Sequence, residues 1–390
     1  MRLAIACLAI LAVVSACNRD TEQQACRLTR EIAVATTVGS PSALAAGRGN
    51  DGRFAVAWSA DGQSSLAWLD PDGDAIESTM PLEKTTGGER NVAAQRMTVA
   101  PFGRDRMAVA VVEAPTAGRA GGTYLGLVGR TKGPIRLVNL GPAGPFASGI
   151  AVAEANGRIV AIWYDGTETG ALLRLASVDP ESGSVMAVNA VDAGAPVSGV
   201  ALAASGDTLF MAAAMGRSEK RAPRFGVHVA AVSPDLELKS FVRVAGSRFV
   251  DPAPALAAIG SGFALAYRDE TDGDRLAESF LARLDRTGRL EGRPVPVSRA
   301  DGAEGPQVVA CGPELIVASV RSFERSLIVG SNRLDSHGAK LGGEFQVYAD
   351  KSDFTRVALA PMGTGVLMAY VEDGADGGRV LASRVVCEPR

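Results

Sequence analysis

Short apolar runs of five residues recur along the chain, separated by polar, glycine-rich stretches. They occupy residues 54–58 (Phe-Ala-Val-Ala-Trp), 107–111, 159–163, 209–213, 263–267, 315–319 and 366–370. Their first residues are spaced 53, 52, 50, 54, 52 and 51 apart, a period that marks an internal repeat. A few residues upstream of each lies a second run rich in small side chains, at 43–46, 97–100, 149–153, 199–203, 255–258, 307–310 and 356–360. Asn50-Asp51-Gly52, Asn156-Gly157 and Gly363-Thr364-Gly365 stand between the two runs and predict hairpin turns. A third run leads into turns such as Leu69-Asp70-Pro71-Asp72-Gly73 and Leu284-Asp285-Arg286-Thr287-Gly288, and a fourth extended segment follows, as at 295–298. No stretch carries a helical period between caps.

Four antiparallel strands in a unit of about 52 residues, seven times over, predict an all-β, seven-bladed β-propeller of four-stranded blades. The seventh unit supplies three strands (356–360, 366–370 and 379–386) and then the chain ends. An unassigned strand-like segment, 28–36, precedes the first unit. Pairing it with 379–386 completes the last blade and removes two open sheet edges. That pairing sets Cys26 opposite Cys387 and predicts a disulfide, worth roughly 5 kcal/mol through chain entropy. Cys311, after a first strand, reads as a buried small apolar side chain.

The chain begins with Arg2, an apolar run from residue 3 to 14, and Val14-Ser15-Ala16-Cys17. The run is short for a bilayer span and suits a secretory signal. The tetrapeptide resembles the lipobox of bacterial lipoproteins. The resemblance implies removal of residues 1–16, lipidation of Cys17, a tether over 17–26 and a propeller over 27–390. It also implies a lipid-anchored cell-envelope location; Asn18, where some inner-membrane lipoproteins carry Asp, points to the outer membrane. The mature chain as a whole resembles the seven-bladed propellers that bacteria export as lipoproteins. It lacks the Trp-and-Gly blade signature of the outer-membrane assembly lipoprotein.

Composition narrows the function. Of 390 residues, 47% are apolar and 45 are glycine, a globular and turn-rich mix. The net charge is −3, from 40 bases and 43 acids, and offers no electrostatic footprint for nucleic acid. Two histidines, His228 in an apolar third strand and His337 in a turn, leave little for imidazole chemistry. Metalloprotease, nucleophile-elbow, phosphate-loop and dinucleotide motifs do not occur, and the aspartate-box turn of sialidase-like propellers is missing.

Propeller ligands gather where loops join second to third strands. Here those loops are charged: Asp165, Asp269 and Asp373 lie in acidic ones, and Arg217, Lys220, Arg221, Arg224, Arg321 and Arg325 in basic ones. Such a rim would accept a protein or glycan partner. The leading expectation is a monomeric, non-catalytic binding or scaffold module without a cofactor. The alternative is a carbohydrate-active hydrolase drawing a carboxylate pair from Asp165, Asp269 and Asp373. Asp269, Asp272 and Asp274 resemble a fragment of a calcium loop, but their spacing does not match the EF-hand pattern and no bidentate Glu is placed, so ordinary turn chemistry is the better account. Trp58, Trp163, Tyr267 and Tyr370 share one position of the second strand, as a glycan-stacking ring or as wedges between blades.

Overall fold

The computed structural model describes residues 26–387 apart from 86–89, 116–120, 130–132, 145–148, 167–169, 218–223, 247–252, 271–276, 300–304, 324–325, 348–351 and 376. The signal, Cys17 and the tether up to residue 25 thus lie outside the described residues, as do Lys220, Arg221, Asp272, Asp274 and Arg325.

Every regular element among the described residues is a strand. In chain order they are β1 (Cys26–Thr37); β2 (Ala43–Arg48), β3 (Phe54–Ala60), β4 (Gln63–Leu69) and β5 (Ile76–Lys84); β6 (Arg96–Phe102), β7 (Arg106–Glu113), β8 (Gly121–Val128) and β9 (Ile135–Ala143); β10 (Ile150–Ala155), β11 (Arg158–Gly166), β12 (Ala171–Val178) and β13 (Val185–Asp192). There follow β14 (Val197–Ser205), β15 (Thr208–Arg217), β16 (Arg224–Val232) and β17 (Val242–Gly246); β18 (Ala255–Ile259), β19 (Gly262–Glu270), β20 (Ala277–Leu284) and β21 (Val295–Arg299). The last are β22 (Gln307–Cys311), β23 (Glu314–Phe323), β24 (Ser326–Leu334) and β25 (Phe345–Val347); β26 (Asp353–Met362), β27 (Gly365–Gly374) and β28 (Gly377–Cys387).

Consecutive strands pair antiparallel in quartets, as the repeat predicts. The first strand of each quartet lies inside. β2 neighbours β6, β6 neighbours β10, and so on through β14, β18, β22 and β26, which returns to β2 and closes a ring. The final quartet runs β26-β27-β28-β1. Cys26 is the register partner of Cys387, and the two form the expected disulfide.

The composition of each strand follows from its place in this ring. Second strands are covered on both faces by adjacent quartets, so β3 is buried along its whole length and Trp163, Tyr370, Phe54 and Phe263 are fully enclosed. At about 25 cal/mol per Å² of apolar surface, these strands supply most of the cohesion. The core is accordingly divided. Each apolar cluster bridges two successive quartets, and one joins the last to the first through Val34, Phe54, Leu367 and Ala369. Polar links reinforce the seams: Asn50 Nδ2 donates to Gly103 O (2.5 Å), Asn156 Nδ2 to Asp207 O (3.4 Å) and Arg106 Nη1 to Pro180 O (2.9 Å).

One feature departs from separate four-stranded units. β5 and β9, the outer strands of the first two quartets, pair in parallel through Leu82–Ile135, Glu83–Arg136 and Lys84–Leu137, giving an eight-stranded sheet. Pro81 is the last residue of β5 in register with β4. Beyond it the strand turns to β9, and two outer edges are capped at once.

Candidate functional site

The loops joining second to third strands, together with the links between quartets, form one end of the ring. Register places the side chains there in levels. Phe54, Met107, Ile159, Leu209, Phe263, Leu315 and Val366 occupy equivalent pairings with third strands. Four residues further come Trp58, Trp163, Tyr267 and Tyr370, between 0% and 7% exposed. They lie inside the clusters between quartets, where none can stack on a sugar, so the wedge reading holds. Trp163 Nε1 donates to Pro142 O (3.2 Å). The Tyr370 hydroxyl is held above its ordinary pKa by burial and by its hydrogen bond to the Glu31 carboxylate.

Two residues beyond the aromatic level lies a charged one: Glu113, Asp165, Asp269, Arg321 and Glu372, with Ala60 and Met215 in the remaining quartets. Its members are tied down from outside. Lys84 Nζ meets Glu113 at 2.5 Å and lies 5.3 Å from the centre of the Tyr124 ring. Arg174 pairs with Asp165 at 3.1 Å and Glu344 with Arg321 at 2.9 Å. Arg379 and the Ser352 hydroxyl hold Glu372. Asp269 neighbours Tyr267 and, after burial, raises its pKa further.

The structure thus brings Asp165, Asp269 and Arg321 to one level, with Asp373 one residue past it, accepting from Ser40 Oγ at 2.6 Å. Asp165, Asp269 and Asp373 stand on second strands that are not neighbours in the ring. Arg217 and Arg224 are register partners closing the β15–β16 hairpin; only their backbone is described. No group of His, Cys, Asp or Glu among the described residues is arranged to hold a metal ion. His228 lies within β16, its Nδ1 3.0 Å from Gly226 O, and His337 lies in the turn after β24. Glu113 was missed in the sequence and Glu372 stood there only as the start of an acidic loop, although the offset of two from the aromatic position selects both.

Along the axis the first strands enclose a cavity of about 270 Å³. Small and aliphatic side chains line most of it, and Arg96, Thr98, Ser198 and Gln307 supply its polar groups. Arg96 opens β6 at the loop end, since Arg96 pairs with Val112 near the close of β7. Its Nη1 donates to Gln95 O (3.0 Å), and it makes no ion pair among the described residues. Gly305 narrows the opposite wall: a Cβ there would lie 2.2 Å from that of Ala253. A guanidinium at the mouth of a cavity on a broad polar end can take a carboxylate or sulfate in fork geometry.

No family model and no curated protein matches the sequence. Solved structures share the fold. A polysaccharide lyase of the PL25 ulvan lyase family superposes with a TM-score of 0.61 at 11% identity, over 92% of this chain and 96% of its own. The polysaccharide lyase Uly1 gives 0.53 at 9% identity, over 93% and 99%. BBS1N, solved in complex with ARL6DN, gives 0.53 at 13% identity, over 94% and 98%. These likenesses establish an all-β, propeller-like architecture spanning nearly the whole chain.

Proposed function

We propose that this chain is a seven-bladed, carbohydrate-active propeller that holds a polysaccharide bearing carboxylate or sulfate groups across its loop end. The observation that carries the reading is Arg96, a cation with no ion-pair partner among the described residues, at the mouth of the axial cavity. Four members of the charged level around it, Glu113, Asp165, Arg321 and Glu372, are already paired within the protein. A polar end of this kind accommodates a hydrated polymer better than an apolar partner surface. End-to-end likeness to two polysaccharide lyases supports the carbohydrate reading over a general scaffold. The same likeness favours cleavage as a second reading. Hydrolysis through two carboxyls would need one to protonate the leaving oxygen and one to activate water, and Asp165 is already engaged by Arg174. In the same proposal residues 1–16 are removed and Cys17 is acylated, which anchors the ring at the cell envelope.

Affinity electrophoresis through gels containing acidic or neutral polysaccharides tests the binding. We expect retardation by an acidic polymer, reduced about 10–100-fold in affinity by Arg96→Ala, the loss of one charge-assisted contact. New reducing ends would report cleavage by either route, and ultraviolet absorbance of unsaturated ends would single out elimination from hydrolysis. Unretarded migration in every gel, or an Arg96→Ala variant that binds like wild type, overturns the proposal.

A further inference from the structure

The end of the ring opposite the loop end carries the first-to-second-strand hairpins and the turns between third and fourth strands. β1 begins at this end. Cys26 faces Cys387, whose amide donates to Thr364 O (3.3 Å) in the turn between β26 and β27. Residue 17 stands nine positions earlier in the sequence. Strands of 8–10 residues separate the two ends by roughly 30 Å.

The charges at this end are unevenly engaged. In the turn from β20 to β21, Asp285 Oδ1 accepts from the amides of Thr287 (2.7 Å) and Arg289 (2.9 Å), and Glu291 faces Arg283 at 3.9 Å. In the turn from β24 to β25, Asp335 Oδ1 accepts from the amides of His337 (2.8 Å) and Ala339 (2.9 Å). Glu314 receives Nε and Nη2 of Arg333 at 2.6 and 2.8 Å. Arg286, Arg289, Arg293 and Lys340 project from these two turns. They are exposed and none makes a direct ion pair among the described residues, although Arg289 lies near enough to Asp285 to help lower the pKa of its carboxyl. Leu290, 38% exposed, stands among them. The quartet that carries Lys340 adjoins the one that β1 completes, and the quartet of Arg286, Arg289 and Arg293 is the next one round the ring.

We propose that this end is a membrane-docking surface. Arg286, Arg289, Arg293 and Lys340 rest on anionic phospholipid headgroups, Leu290 meets the interfacial region, and the loop end is presented away from the bilayer. The inference rests on acylation of Cys17, proposed above. A lipid chain and a basic patch are the paired signals that make anchoring durable and oriented. With a Debye length of about 8 Å at physiological salt, the surface potential acts on this end and not on the other. A short tether would otherwise let the ring tumble; four cations on one side fix which way it faces.

The test uses the full-length protein exported in a bacterial host, purified with its anchor and reconstituted into vesicles. Intact mass first reports acylation, with Cys17→Ala as the control. A fluorescent donor is then placed through Leu290→Cys or, at the loop end, Gln63→Cys; Cys311 is buried and stays unlabelled in the native fold. Energy transfer to a headgroup-labelled lipid is measured in neutral phosphatidylcholine vesicles and in vesicles containing phosphatidylglycerol. We expect transfer from 290 to exceed that from 63 by at least about threefold on anionic vesicles, with the excess lost at high salt, where screening shortens to about 3 Å. The variant Arg286→Glu/Arg289→Glu/Arg293→Glu should lose the excess as well. Absence of the acyl mass overturns the lipidation reading and this inference with it. An acylated protein with equal transfer from both sites overturns the orientation alone. An excess that survives charge reversal overturns the role of the cations.

Discussion

Replacing Cys26 and Cys387 by serine tests whether the ring depends on the covalent joint between its first and last strands. The bridge spans 361 residues of sequence, for which the chain-entropy relation gives about 5–6 kcal/mol of destabilisation of the unfolded state. The native side of the balance is weaker than a central strand pairing would suggest. Of the twelve residues in β1 only Val34 is buried, and the β1–β28 register shifts twice. Hydrogen bonds and the Tyr370–Glu31 contact are the main remaining hold on β1. The double serine variant should therefore show a lower urea midpoint, with an apparent loss of several kcal/mol, and a steeper transition because its unfolded chain is more expanded. Hydrogen exchange resolves the order of events: β1 and the facing edge of β28 should lose protection before β27. A variant with the wild-type midpoint and full protection in β1 would refute this account and assign closure to packing alone.

Other consequences follow from single residues. Gly288 has φ +80° and a Cβ there would meet Phe210 Cε1 at 2.6 Å, whereas Gly292, at φ +82°, has open space. Gly288→Ala should cost about 1–3 kcal/mol more than Gly292→Ala in thermal unfolding, by overpacking. Cys311, pushed up to about 11 chiefly by burial, should resist iodoacetamide at pH 8 in the native protein and react on unfolding. Asp179 and Asp285 are held below the ordinary value of 3.8 by hydrogen bonds, from the Ser182 amide and the Thr287 hydroxyl first. At Asp335 burial, which would raise the value, is outweighed by the Ala339 and His337 amides. Their folded values are depressed, so their contribution is complete above the ordinary value and disappears as pH falls through the folded ones. Asn at all three positions should flatten the loss of thermal stability below pH 4, and an unchanged acid profile would contradict it.

The fold was legible because the repeat carries its own register. A five-residue apolar run every 52 residues fixes the second strand, and turn residues fix the strands on either side. Ring closure followed from counting: three strands at one terminus, a spare at the other, and a cysteine flanking each. The parallel β5–β9 pairing was not legible, since it depends on Pro81 diverting a strand whose own composition resembles its counterparts. The charged level was read only in part. Asp165, Asp269, Arg321 and Glu372 stood out inside charged loops, whereas Glu113 looks like an ordinary strand end until pairing aligns it with them. Arg96 carried no signal, because being the first residue of an inner strand matters only once the inner strands are set around a common axis.

Joining the earliest strand to the latest also sets a schedule. β1 is synthesised before the other strands, yet its partner β28 ends at residue 387. Until that residue emerges, β1 has no hydrogen-bonding neighbour and the final quartet has an open side. Contacts so remote in sequence form slowly, and the waiting strand is an edge that another chain can pair with. Completion of the last quartet and oxidation of the two thiols are therefore coupled events, and a chain stalled during synthesis would be held as an unsealed arc rather than as a smaller version of the finished ring.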